Sequence, residues 1–493
     1  MKSFSASAAA EHVVRADGVC VALDDIARET SFDLYQTDLH YQICRTLARQ
    51  RGNDDVSRKV LENLYALKSD VARRATALVT YVDTSAVAIA SIRVSPAVRS
   101  MLPPRWAERF HFENWDGPAG PYVAWNHVAL LLAKAVLHRL FRLLMRKSDE
   151  AALIVRAWVE VTAAMYPAEI RSGRVLIYPF ALNVRRQLKF VRWCHAERLN
   201  LSLAGLPYPL GSILADIMCR KPNDQILASA EIKANARHAL ELLGLAPRQL
   251  FTSDEFETAS FVLYDSLVSS GVEVINTAHG VGNYCPNIVY SEFRVVTPSQ
   301  QAFYSARHPS IRYTPLPTAH RQIKGLPHYQ QARGKPVALV LVHQPFESSP
   351  LKAEESAQWA LDNELQRIAL TRCVEYRVKM HPNYHGPRDG VGSRSLQGPP
   401  VFAWSDLSVF RPIFVTINST VFFDCRGIGP MLVYAGLTFR PNLYFPEPFM
   451  PITLSDAEHV VSQLLPEDAW ERAAAFHAEP CSVREAPAIK ISS

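Results

Sequence analysis

Glu-Tyr-Arg-Val-Lys-Met-His-Pro at 375–382 and Phe-Val-Thr-Ile-Asn-Ser-Thr-Val-Phe-Phe-Asp at 414–424 are the two halves of the stretch on which the fold reading turns. Tyr376, Val378 and Met380 alternate with Arg377 and Lys379, the period of a strand. Pro382 has no N–H for a ladder, so this strand should stop near His381 and leave an imidazole at its carboxyl end. In the second half, Phe414, Val415 and Ile417 make a strand, and Asn418-Ser419-Thr420 follow at once. Ser and Thr there are N-caps for a helix beginning near Val421, which Gly427 and Gly429 stop before a strand at 431–434. The order is strand, turn, helix, strand, with hydroxyls at a helix start where free N–H groups favour an anion. Ligands of open α/β sheets sit outside the carboxyl ends of the strands.

The same alternation extends outward in both directions. Apolar strands are expected at 174–180, 199–203, 249–252, 272–277, 293–297 and 337–342, with helices at 183–197, 228–243, 298–306 and 352–371. Ser253-Asp254-Glu255 reads as the cap of a helix running to Leu267. Strands alternating with helices imply parallel sheets built from right-handed crossovers. The expected class is therefore α/β, with two Rossmann-like domains facing each other across a cleft. The expected divisions are a mostly helical N-terminal region over 1–165, a front domain over 166–290 and a rear domain over 291–480.

At 493 residues, 48% hydrophobic and 20% charged, the chain is too long for one core. Net charge of +6 favours anionic ligands or a membrane surface without demanding nucleic acid. The eight cysteines form no C-x-x-C pair and suit reduced, buried thiols of a cytoplasmic protein. No secretory leader is expected, so the Asn418 and Asn200 sequons are discounted. The most apolar stretch, 128–145, is broken by Lys134, His138 and Arg142 at four-residue spacing. It reads as a core helix with one wet stripe, or else as a basic amphipathic helix lying on an anionic membrane.

Nucleotide-binding fingerprints of the G-x-x-x-x-G-K-[ST] and G-x-G-x-x-G kinds are absent, as are G-x-S-x-G and H-E-x-x-H. His381 and His385 are four apart, but Pro382 argues against a shared helical face, so no metal site is expected. What remains is a set of polar strand ends. Asp254-Glu255 and His279-Gly280 lie in the front domain; His343-Gln344, His381-Pro382 and Asn418-Ser419-Thr420 lie in the rear one.

In that order these residues resemble the GT-B glycosyltransferases of bacterial surface and capsular polysaccharide synthesis, including polysialyltransferase-like enzymes and CDP-glycerol glycerophosphotransferases. The matching motifs are Ala278-His279-Gly280, Gln344, Lys379-Met380-His381-Pro382 and Asn418-Ser419-Thr420 with Asp424. The resemblance covers about 170–470; the first 150 residues have no counterpart. It implies a nucleotide-activated donor, most often a cytidine nucleotide, bound by Gln344, Lys379, His381, Asn418, Ser419, Thr420 and Asp424 in the rear domain. It implies a catalytic base in the front domain: His279 in one branch, Asp254-Glu255 in the other. This chain has no Gly after the acidic pair, a departure from that second branch. The acceptor would be a surface glycan or its lipid-linked precursor. No metal or cofactor is expected, and peripheral contact to the plasma membrane's inner face is expected only on the amphipathic reading of 128–145. Two alternatives stand beside it: a non-catalytic GT-B-like subunit of a polysaccharide assembly complex, and a nucleotide-sugar epimerase.

Overall fold

The computed structural model describes residues 10–30, 35, 37–117, 120–144, 153–157, 169, 171, 173–179, 188, 191–192, 194–278, 280, 282–316, 328–344, 352–380, 401–417, 425, 427–436 and 450–478. Within them the chain is α/β, with two all-parallel sheets preceded by a mostly helical N-terminal region.

The N-terminal region carries a small sheet of β1 (His12–Arg15), β2 (Cys20–Ala22), β3 (Ile89–Arg93) and β4 (His111–Phe112), in the order β2-β1-β3-β4. Around it lie α1 (Leu23–Glu29), α2 (Asp38–Arg51), α3 (Asp55–Lys68), α4 (Asp70–Thr84), α5 (Pro96–Arg99), α6 (Trp106–Arg109) and α7 (Trp125–Leu144). Local chemistry sets several of these starts. Asp54 and Ser57 form a reciprocal capping box at α3, and Ser69 caps α4 by accepting from the Ala72 N–H at 3.1 Å.

The front sheet contains β5 (Leu153–Ala157), β6 (Arg174–Ile177), β7 (Asn200–Leu203), β8 (Gln249–Ser253), β9 (Glu273–Thr277), β10 (Glu292–Val295) and β11 (Arg312–Pro315), in the order β11-β10-β9-β8-β5-β6-β7. The chain winds from β5 to β7 in one direction, then returns to the other side of β5 and runs outward again. This is the Rossmann strand order with one added strand, and its switch point lies between β5 and β8. The front-unit helices are α8 (Leu210–Met218), α9 (Asn223–Leu243), α10 (Ser260–Ser269) and α11 (Pro298–Ser305).

The sheet pairing corrects two expected divisions. The N-terminal region expected over 1–165 includes β5, yet β5 is the strand on which the front sheet pivots. The rear domain expected over 291–480 includes β10 and β11, yet β10 pairs with β9 and β11 with β10. Alternating βα pattern reads the same in either unit; only the ladder partners decide membership.

Side-chain alternation splits the front sheet between two cores. Leu176, Leu250 and Val274 join the large core shared with the N-terminal helices, while Val175, Ile177, Phe251 and Ile275 pack around Cys194 on the opposite face. The N-terminal region is thus built onto the front sheet. Polar ties reinforce it: Asn63 donates to the carbonyls of Thr258 and Asn287, and Arg51 and Tyr65 both engage the buried Asp224.

The rear sheet contains β12 (Val337–Val342), β13 (Glu375–Lys379), β14 (Arg411–Thr416), β15 (Met431–Tyr434) and β16 (Met450–Ile452), in the order β13-β12-β14-β15-β16. This is the flavodoxin-like order, with its switch point between β12 and β14. Every residue of β12 and β14 is buried, which explains the unbroken apolar reading of β12 and of Ile413, Phe414 and Val415 within β14. Burial of each large aliphatic there contributes about 1.5–3 kcal/mol. Helices α12 (Lys352–Arg372), α13 (Ala457–Leu464) and α14 (Glu467–Ala478) accompany this sheet, which has its own core.

Candidate active site

The carboxyl end of β8, beside the switch point, carries the acidic pair. Asp254 is 4% exposed and Glu255 fully buried. The capping role read for Ser253-Asp254-Glu255 is not what the pair does: α10 begins at Ser260 behind Ala259, with no side-chain cap. The Asp254 carboxylate instead accepts from the Tyr264 hydroxyl, which is also 2.9 Å from Thr252 Oγ1. Asn276 on β9 holds both acids. Its Oδ1 accepts from the Asp254 N–H at 3.1 Å, and its Nδ2 donates to Glu255 Oε2 at 3.3 Å. Burial, with the Asp254 charge next, pushes the Tyr290 phenol well above its ordinary value. The Tyr290 hydroxyl beside the acids therefore stays protonated.

The chain after β9 is pinned on both sides of position 279. The Ala278 N–H extends the ladder to the Arg294 carbonyl at 2.9 Å. Gln300, fully buried on α11, donates from Nε2 to the carbonyls of Gly280 at 3.2 Å and Gly282 at 3.0 Å. His279 itself lies outside the described residues.

Asp254 lines a cavity of about 310 Å³ that opens over the ends of β6, β7 and β8 and under α7 and α9. Most of its polar lining lies outside the residues expected at the site. Lys134 of α7 sits between Glu231 at 3.8 Å and Glu257 at 3.7 Å. Burial alone would lower its pKa, but Glu257, Tyr208 and Glu231 offset that and hold it well above the ordinary lysine value. The Tyr208 hydroxyl donates to Glu231 at 3.0 Å. His138 is 1% exposed and accepts the Leu206 N–H on Nδ1 at 2.8 Å, which leaves Nε2 as the protonated nitrogen of the neutral ring. Gly205 permits this approach: a Cβ there would stand 2.4 Å from the His138 carbonyl.

A second chain of contacts reaches the cavity at Tyr178, just past β6. Its hydroxyl is 2.7 Å from His238 Nε2, and His238 Nδ1 is 3.3 Å from Glu241, which Arg142 grips with two bonds of 2.6 Å. Burial alone would raise the Glu241 carboxyl, but His238 and Arg142 bring it down to about 2.

These contacts reverse the wet-stripe reading of α7. Lys134, His138 and Arg142 face inward, onto the cavity and the acids of α9. The one signal available was their four-residue spacing on an otherwise apolar helix; the carboxylates that neutralise them lie on α9 and after β8, far along the chain.

In the rear unit the register sets Lys379, Val342 and Thr416 level across β13, β12 and β14. The residues following them, Met380, His343 and Ile417, therefore stand together at the sheet's carboxyl edge. Lys379 Nζ lies 5.3 Å over the Trp404 ring. Gln344 is fixed by its backbone: Gln358 of α12 accepts its N–H at 2.8 Å and donates to its carbonyl at 3.0 Å. His381, Asn418, Ser419, Thr420 and Asp424 lie outside the described residues. The strands that precede them, β13 and β14, flank β12 on either side.

No protein-family model matches the chain, and no curated protein sequence does. Among solved structures it is similar to the S. aureus MnaA–UDP co-structure, at 9% identity and TM-score 0.41 over 67% of this chain and 91% of that one. It is similar to Acinetobacter baumannii MurG at 9% identity and TM-score 0.42, over 66% and 94%. It is similar to the glycosyltransferase SnogD from Streptomyces nogalater at 10% identity and TM-score 0.36, over 67% and 94%.

Proposed function

We infer that the protein is a GT-B-type glycosyltransferase that moves a sugar or polyol phosphate from a nucleotide-activated donor to a glycan or lipid-linked glycan. One observation carries this reading: Asp254, a buried carboxylate fixed by Tyr264, lines a cavity at the switch point of a Rossmann-order sheet. Binding at that place follows the general rule for open α/β sheets. The cavity walls combine aromatic rings (Tyr178, Tyr208, Phe256) with hydrogen-bonding groups (Glu231, Glu257, Lys134). That mixture suits a polyhydroxylated acceptor, whose rings have apolar faces and polar edges.

In the proposed reaction an acceptor hydroxyl gives its proton to Asp254. The oxygen attacks the anomeric carbon, or the phosphorus of a polyol phosphate, and the nucleotide leaves with the bonding electrons. A base in reach of that proton contributes about 10²- to 10⁴-fold. Glu255 and Asn276 position Asp254; His279 is the alternative base. The donor belongs at the carboxyl edge of the rear sheet, where Gln344, Lys379, His381, Asn418, Ser419, Thr420 and Asp424 are the proposed contacts. A cytidine nucleotide is the proposed carrier. Helix N-termini and cations there would stabilise the charge that grows on the leaving phosphate.

The test is an incubation with CMP-, CDP- and UDP-sugars, with and without a glycan acceptor, followed by chromatography. Nucleotide release that requires acceptor supports the transferase. A new nucleotide sugar formed without acceptor would instead identify an epimerase.

A further inference from the structure

Helix α7 is turned inside out relative to an ordinary surface helix. Its charged stripe faces the cavity, and its opposite stripe of Ala129, Ala133, Val136, Leu140 and Leu143 faces solvent. Val136 is 49%, Leu140 50% and Leu143 77% exposed. Helix α8, which packs against α7, exposes Leu214 at 51% and Met218 at 80%, and α9, which packs against both, exposes Leu240 at 71%. Apolar surface gathered on touching helices marks an interaction site.

The charges of these helices say what covers it. Helix α7 contains no Asp or Glu. The acid of α8, Asp216, is paired with Lys221 at 2.6 Å. The acids of α9 are engaged as well: Asp224 with Arg51, Glu231 with Tyr208 and Glu241 with Arg142. The exposed charges around the apolar residues are Arg139, Arg220, Lys233 and Arg237. An apolar face with a basic rim complements an anionic lipid surface, whereas a second copy of this chain would bring two basic rims together.

We propose that α7, α8 and α9 form a lipid-docking face that seats the protein on anionic membranes. Among the described residues no helix is long and apolar enough to cross a membrane, so α7 lies in the interface plane. Its inner side lines the cavity, so docking holds that cavity about one helix diameter, roughly 10 Å, from the headgroups. This geometry presents a lipid-linked acceptor to the site; that consequence alone rests on the transferase reading.

The experiment is co-sedimentation of the full chain with phosphatidylglycerol–phosphatidylcholine vesicles and with pure phosphatidylcholine vesicles. Light scattering and nucleotide titration are run in parallel. Each basic residue near the surface strengthens binding roughly fivefold, so the anionic vesicles should be preferred by about 100-fold or more. Leu140→Glu/Leu143→Glu should lose at least about tenfold in lipid binding while keeping its melting temperature, because both side chains are exposed. Arg139→Glu/Arg237→Glu should lose the anionic preference and retain the fold. Failure of the wild type to sediment with anionic vesicles would overturn the proposal. So would unaltered lipid binding by both variants, or a wild-type dimer that Leu140→Glu/Leu143→Glu dissociates without lipid binding. Nucleotide binding is scored on the same samples, so failure of lipid docking and failure of the transferase reading are told apart.

Discussion

Tyr264 donates its hydroxyl to the carboxylate of Asp254, tying the first turns of α10 to the end of β8. Tyr264 is fully buried, so the carboxylate is aimed before any acceptor arrives. Asp254→Asn should lower transfer by about 10² to 10⁴ in kcat with little change in KM, since the amide keeps the shape but not the basicity. Tyr264→Phe should lower kcat by roughly tenfold, because it removes the orienting donor and leaves the base. Steady-state kinetics on the two variants, with circular dichroism as the folding control, checks both.

Asn276 serves two acids at once, with its oxygen on the Asp254 N–H and its nitrogen on Glu255. Asn276→Ala leaves a buried N–H and a buried carboxylate short of a partner. Urea unfolding should show a loss of about 1–3 kcal/mol, and activity should fall further than stability explains. Wild-type kcat in a folded Asn276→Ala protein would remove the acidic pair from the catalytic account.

Gln300 closes the loop after β9 by bonding two of its carbonyls. Gln300→Ala should cost about 1–3 kcal/mol in urea unfolding through those two orphaned acceptors. Gln300→Glu should cost at least as much, because a carboxylate cannot donate to either. If both variants unfold like the wild type, the loop does not depend on this side chain.

His40 gives the fold a pH dependence of known sign. It is fully buried, bonded to Thr76 at 2.8 Å, and burial brings its pKa down from 6.5 to about 4. The unfolded chain therefore takes up a proton between pH 6.5 and 4 that the folded chain refuses. Stability falls as pH drops through that window, by roughly 3 kcal/mol from this group alone. Urea unfolding at pH 7 and pH 4.5 should show a smaller pH effect in His40→Gln than in the wild type. Equal slopes in the two proteins would contradict the assignment.

The rear sheet was legible in the sequence for two reasons: β12, buried on both faces, reads as an unbroken apolar run, and the edge strand β13 shows the alternation of a half-buried strand. β12 and β15 fall on the expected residues, β13 ends two residues before His381, and β14 begins three residues before Phe414. Membership of a sheet was less legible: β10 looks like any strand in a βα alternation, and only its pairing with β9, and that of β11 with β10, assigns the two to the front. The polar cavity lining was hidden for a different reason. Lys134 and His138 sit on a helix so apolar that either of its stripes could be the wet one, and the partners that settle the matter are distant in the chain. Asp254, an acid shortly before a helix, reads as a cap, and nothing local announces Tyr264 or Asn276 as its partners.

The central claim is tested most directly by calorimetric titration of CMP, CDP and UDP into the full-length protein, beside the His381→Ala and Asp254→Asn variants. The account predicts that one of these nucleotides binds with a Kd between about 1 μM and 1 mM. It predicts that His381→Ala weakens that binding by about tenfold or more and that Asp254→Asn leaves it unchanged. Absence of binding by all three nucleotides, in protein shown to be folded, would contradict it.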